Sequence, residues 1–196
     1  LAVRMIKNIF DGGAQSVEFM CLGSGRRSEM AHCAPSSAVK LEDGSVIHLD
    51  FGGKYDHYTS DISRGILIGK KNEKHLDLYK RLTNCYEKGI SMLKPGVRAC
   101  DVYNFTREQF EKADIPFTMS LVGHGLGISV HELPMLVPGE KKELETDMML
   151  CYEIRTIVDG YRYHIEDLIH ITENGHEVLS QPELDTTMLW IQPDLL

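Results

Sequence analysis

The sequence predicts one α+β domain made of two related halves that meet at a cleft. Three observations predict it. The chain repeats itself: His32-Cys33-Ala34-Pro35 has the His-x-x-Pro form of His131-Glu132-Leu133-Pro134, and both follow glycine-bearing loops, Gly23-Ser24-Gly25 and Gly123-His124-Gly125. After each motif comes a hairpin with two acids, Asp50 and Asp61 in the first half, Glu153 and Glu166 in the second. A repeat this long is no solenoid unit and reads as two halves of one domain facing each other across a cleft. Finally, one long stretch carries apolar residues at helical spacing, while the acids sit in short apolar runs typical of strands.

The elements follow in chain order. Residues 2–10 read as a helix ending near Gly12-Gly13, the counterpart of the helix at 100–113. Strands are expected at 46–51, where Val46-Ile47-His48-Leu49 runs into Asp50, and at 62–69. In 73–93, Leu76, Tyr79, Leu82, Tyr86, Ile90 and Leu93 form a helical core stripe, and Lys94-Pro95-Gly96 stops the helix. Two further strands, 148–158 and 163–172, flank a hairpin turn at Asp159-Gly160. The halves fall at 1–72 and 73–180; the tail, 181–196, holds the single tryptophan, Trp190, and is expected to dock on the domain or on a partner.

Composition fits one domain. With 196 residues and 42% apolar content the chain can bury a substantial core. A formal charge of −8 argues against nucleic acid and anionic membrane surfaces as partners. No apolar run approaches the roughly 18 residues of a membrane span, and no signal-peptide pattern opens the sequence. Five cysteines, with no Cys-x-x-Cys pair, read as reduced thiols of a cytoplasmic protein. Cys33 adjoins His32, but nothing else supports a cysteine nucleophile.

Asp50, Asp61, His124, Glu153 and Glu166 are the candidate metal ligands. Four carboxylates gathered in one poorly solvated cleft repel strongly unless divalent cations neutralise them. A lone acid in an apolar strand has a bland explanation as a salt-bridged or edge-strand group. Together with the glycine-flanked His124, the set points instead to a two-metal site, which lowers the pKa of a water held between the ions and offers hydroxide to a carbonyl. An oxygen-rich site with one nitrogen and no thiolate favours manganese, with cobalt, iron(II) and then zinc after it.

These segments resemble the metal-dependent pita-bread (creatinase/aminopeptidase) family, and most of all its Xaa-Pro aminopeptidase and prolidase (Xaa-Pro dipeptidase) branch. The residues that carry the resemblance are Leu49-Asp50-Phe51-Gly52, Tyr58-Thr59-Ser60-Asp61-Ile62-Ser63-Arg64, Val122-Gly123-His124-Gly125-Leu126-Gly127, Val130-His131-Glu132-Leu133-Pro134 and the run from Ile165-Glu166-Asp167 to Asn174-Gly175. As an ordered set they are highly specific. The resemblance implies a pita-bread fold with pseudo-symmetric halves around a dinuclear site, and hydrolysis of Xaa-Pro bonds in dipeptides or peptide N-termini. It implies that Asp50 is a terminal ligand of one metal, that Asp61 and Glu166 bridge both, and that His124 and Glu153 complete the second. Glu153 would also shuttle the proton of the bridging water, His131 would hydrogen-bond the scissile carbonyl, and His32 would orient substrate from the opposite wall.

The sequence departs from that branch in places. Where an arginine often stands two residues before the last glutamate, this chain has His164, which strand alternation puts on the Glu166 face near the metals and substrate. A histidine that some relatives carry four residues before the metal-binding one is here Ser120. Non-enzymatic pita-bread binding modules typically lose the ligands, whereas all five stand here. Creatinase needs no metals, and Ser28-Glu29-Met30-Ala31 before His32 lacks the asparagine pattern of methionine aminopeptidases. The repeat also suggests a catalytic domain that begins inside its first half, without the N-terminal domain common in relatives. An apolar face would then lie uncovered on the sheet carrying Asp50 and Asp61, to be covered by another chain, as in a homodimer, or by the absent N-terminal segment.

Overall fold

The computed structural model describes residues 1–180 and 188–192. Helix α1 (Ala2–Asp11) leads into strand β1 (Ser16–Ser24), a 3-10 turn (Gly25–Glu29) and the hairpin of β2 (Val46–Tyr55) and β4 (Ile62–Ile68), with the short β3 (Tyr58–Thr59) at its tip. Helices α2 (Glu73–Ile90) and α3 (Ala99–Lys112) follow. Then come β5 (Gly123–Gly125), β6 (Glu132–Met135), the long hairpin of β7 (Met149–Val158) and β8 (Tyr161–Thr172), β9 (Gly175–Val178) and β10 (Leu189–Ile191).

The elements form where local chemistry asks for them. Asn72 caps α2 by accepting a hydrogen bond from the Lys74 amide at 3.1 Å. The stripe of α2 is buried at Tyr79, Leu82, Tyr86 and Ile90, with Leu93 just beyond the helix and Leu76 packed at the edge. The helix itself ends at Ile90, short of the expected 93, because Ser91 caps it and a turn follows in which the Leu93 amide bonds the Ile90 carbonyl. Between β7 and β8, Asp159 and Gly160 both have positive φ, 54° and 78°, the geometry of a two-residue hairpin turn.

The sheet order is β1-β2-β4-β8-β7-β5-β6, so the two halves read as mirror sequences, β1-β2-β4 and β5-β7-β8, joined where β4 meets β8. That junction has one register pair, Ser63 with Glu166. A buried clamp reinforces it. Arg64 gives Nη2 to Asp167 Oδ1 at 2.6 Å and Nη1 to the Glu166 carbonyl at 2.7 Å, while Tyr86 of α2 donates to Asp167 Oδ2 at 2.7 Å. Tyr79 Oη takes the Gly65 amide and donates to the His164 carbonyl, so α2 grips both strands. Only glycine fits at 65, since a Cβ there would come within 2.6 Å of the Tyr79 ring.

Tyr152, Ile154, Tyr163, Ile165 and Ile169 turn one face of the β7–β8 hairpin toward α2 and α3, and the main core forms there. The expectation of an uncovered apolar face behind Asp50 and Asp61 is corrected. Ile47, Leu49, Ile66 and Ile68 are buried under Met5 of α1, Leu22, Phe51 and Ile191. Part of that cover is β10, which pairs parallel with β4, and Trp190 donates its indole N–H to the Gly69 carbonyl at 2.7 Å. The tail segment around Trp190 thus docks on the domain; residues 181–187 and 193–196 lie outside the described residues. No helix among the described residues is long and apolar enough to cross a membrane.

Candidate metal centre

Strand alternation builds the site. On β2, His48 and Asp50 share a face; on β7, Cys151, Glu153 and Arg155 do; on β8, Arg162, His164 and Glu166 do. The register sets Glu153 opposite Glu166 and Arg155 opposite His164. Asp61 enters from the residue before β4, and His124 from the middle of β5, held by its Nδ1 against the Gly125 carbonyl at 3.0 Å. An added Cβ at Gly125 would strike the carbonyls of Glu132 and Leu133, so glycine lets β6 close over this strand.

All five candidate ligands meet there, along one cleft of about 450 Å³. His124 Nε2 stands 3.7 Å from Glu166 Oε1, 3.9 Å from Asp61 Oδ2 and 4.0 Å from Glu153 Oε1. These spacings are too long for hydrogen bonds and suit donors arranged around an ion. Asp61, His124, Cys151 and Glu166 offer donor atoms within 4.8 Å of one another. Two carboxylate oxygens, Asp50 Oδ1 and Asp61 Oδ1, are buried without a hydrogen-bond partner. An orphaned buried carboxylate oxygen is costly, and a cation removes the cost. The residues present fit a metal.

The electrostatics agree. Burial, then the charges of Glu166, Asp50 and Glu153, push Asp61 up to about 10. Glu166 is raised well above the usual range by burial and then by Glu153 and Asp50, and Asp50 is raised chiefly by burial. Burial acts the same way on Glu153, but the His164 hydrogen bond and the charges of His164, Arg155 and His124 outweigh it and hold this carboxyl low.

The other sequence candidates line the same cleft. His131 is exposed at its lip, its ring centroid 4.3 Å from that of His124, and burial lowers its pKa. His32 is exposed on the wall built from the first half, Nδ1 4.0 Å from Cys21 Sγ. Burial raises that thiol to about 11, and Cys33 is fully buried, so neither sulfur suits a nucleophile. His164 gives Nε2 to Glu153 Oε2 at 3.1 Å and lies 3.6 Å from Glu166 Oε2.

Three residues escaped the sequence reading. His48, buried and held near pKa 2 chiefly by burial, places Nε2 3.2 Å from His164 Nδ1. Arg155 ion-pairs with Glu153 Oε2. Arg162 lines the cleft with Nη2 on the Glu29 carbonyl, while its Nε is buried without a partner. The signal was present: each stands two residues from a candidate already named, hence on the same strand face.

Known proteins resemble this chain along most of its length. The profile of metallopeptidase family M24 matches residues 2–173. The Xaa-Pro dipeptidase of Pyrococcus furiosus is 31% identical over 176 residues, which are 87% of this chain and 50% of that protein. Among solved structures, the dipeptidase PepE of Mycobacterium ulcerans superposes with a TM-score of 0.91 at 28% identity, covering 97% of this chain and 52% of that one. The X-Pro aminopeptidase of Thermotoga maritima gives 0.90 at 26% identity, over 97% of this chain and 54% of that one. The chain therefore spans about half the length of the relatives it matches. Its curled sheet with mirrored halves is the pita-bread fold, and the chain belongs to metallopeptidase family M24.

Proposed function

We propose that this chain supplies the catalytic domain of a peptidase that hydrolyses Xaa-Pro bonds in dipeptides or at peptide N-termini. The observation that carries the reading is the convergence of four buried acids and His124 on one cleft in an M24 chain. Asp50, Asp61, His124, Glu153 and Glu166 are the residues to hold two divalent ions, and these five alone favour manganese, cobalt or iron(II). Such ions supply an acidified water and a Lewis acid for the substrate carbonyl.

The chain's own groups do the rest. Glu153 is held ionised and oriented through Oε2 by His164 and Arg155, so that beside the ions it can take up a proton and return it to the departing proline nitrogen. His131, neutral at the lip, donates a hydrogen bond to the carbonyl oxygen as negative charge develops there. His32 orients the substrate from the facing wall, and the guanidinia of Arg155 and Arg162 suit a free peptide carboxylate. Five unpaired cysteines support a reducing compartment such as the cytoplasm. Exposed Tyr55 and Tyr58, beside a hollow under α1, support pairing with a second copy.

Metal analysis followed by a dipeptide panel with and without proline tests the reading. We expect Xaa-Pro substrates to be preferred, and His131→Ala to keep its metals while losing about 10²–10³-fold in kcat. A metal-loaded protein, assayed in its full-length form, that cleaves no Xaa-Pro peptide would refute it. Loss of metals in His131→Ala would show that His131 and His124 carry each other's roles.

A further inference from the structure

Asp50 keeps different company from the other acids. Its donor oxygen groups with a nitrogen of His48 and a nitrogen of His164, all within 4.8 Å, whereas Asp61 and Glu166 group with His124. His48 Nε2 and His164 Nδ1 face each other at 3.2 Å, and His164 Nδ1 lies 4.0 Å from Asp50 Oδ2. Two donors roughly 2.1 Å from one ion stand about 3.0 to 3.4 Å apart at octahedral or tetrahedral angles. The imidazole pair already has that spacing, and a small inward turn of the Asp50 carboxylate would complete a third contact. His48 is 1% exposed, and its ring forms part of the wall of the cleft.

A shared proton is the competing account. His48 Nε2–H would donate to His164 Nδ1, and His164 Nε2–H to Glu153 Oε2. That arrangement pairs the facing nitrogens but leaves His48 Nδ1 and the buried Asp50 Oδ1 each without a partner. A cation between the facing nitrogens and the carboxylate gives Asp50 the partner that proton sharing denies it, while His48 Nδ1 stays unpartnered in both arrangements.

We propose that His48, Asp50 and His164 form a nitrogen-bearing cation pocket at the Asp50 end of the cleft. Two imidazoles and one carboxylate suit zinc, cobalt(II), nickel(II) or copper(II) better than manganese, which prefers oxygen donors. The inference rests on the cleft being a metal site, as proposed above, and gives one of its ions two histidine ligands, His48 and His164, beyond the four acids and one histidine named from the sequence. The two ends of the cleft would then differ in metal preference.

Pulsed electron paramagnetic resonance on the intact chain loaded with one equivalent of copper(II) counts the imidazoles on a single ion. Two are expected, and they belong to this pocket if His131→Ala keeps both, since the His131 ring lies beside His124 at the other end. His48→Phe should reduce the count to one and weaken zinc binding about 10–100-fold, with a smaller loss for manganese, which relies on oxygen donors. A single imidazole per ion in the unmodified protein overturns the proposal, whatever the variant does. So does His48→Phe with unchanged zinc affinity. Neither outcome depends on turnover, whereas a loaded protein that cleaves no Xaa-Pro peptide defeats the peptidase reading and leaves the nitrogen count standing.

Discussion

Glu166 and Asp167 are neighbours on one strand, both buried, yet they face opposite worlds. Asp167 points toward α2, where Arg64 and Tyr86 engage its two oxygens at 2.6 and 2.7 Å. Glu166 points into the cleft, where it meets Glu153, Asp61 and Asp50, and its carboxyl is forced well upward. The first charge is answered inside the protein. The second lies among more negative charge than the chain's own cations neutralise. A buried carboxylate with a matched cation is architecture, and a buried cluster without one is a receptor for something absent from the sequence.

The largest effect should come from removing a cleft acid. Asp61→Ala is expected to lose bound metal and hydrolysis together, yet the metal-free protein should be no less stable than its parent, since a repelling group has gone. Full activity with two equivalents of tightly held metal would contradict the assignment of Asp61. Asp167→Ala should do the opposite. It strands Arg64 in the interior and should cost about 3–5 kcal/mol in a urea titration, the penalty for breaking a buried pair from one side. If both variants lost stability alike, the contrast between the two neighbours would fail.

A smaller effect sharpens the comparison through pH. Asp61 moves from 3.8 to about 10 on folding, so between those values the folded metal-free protein holds a proton that the unfolded chain releases. Stability contributed by this group is therefore full below pH 3.8 and falls as pH rises toward 10. Metal-free protein should accordingly lose stability with rising pH across that window, and metal uptake at neutral pH should release protons. Calorimetric titration in buffers of different ionisation enthalpy measures that release; zero protons released would contradict it.

Much of the centre was legible in the sequence because each half announces its acids with the same glycine loop and His-x-x-Pro signature. Strand positions for Asp50, Glu153 and Glu166 followed from flanking apolar runs, and the core stripe of α2 from helical spacing. What escaped depends on register. Nothing in the local pattern says that His48 will meet His164, 116 positions away, or that Arg64 will reach Asp167. β1 was missed because Ser16 to Ser24 alternates poorly and its burial is completed only by β2. β5 is three residues rich in glycine, and only its pairing with β7 makes it a strand.

The single register pair that joins the mirrored halves also shapes how the molecule comes into being. Arg64 and Asp167 are 103 positions apart, and Thr59 reaches across to the Gly127 carbonyl at 2.8 Å from 68 positions away. Contacts of such long sequence separation form late and slowly, because the intervening chain must first be brought to order. During synthesis the first half, with Asp50 and Asp61, leaves the ribosome long before Glu153 and Glu166 exist to meet them. Those two acids then stand in water as ordinary surface groups. The cleft is thus assembled at the end of folding, and the ion it selects is chosen by the finished geometry of both halves.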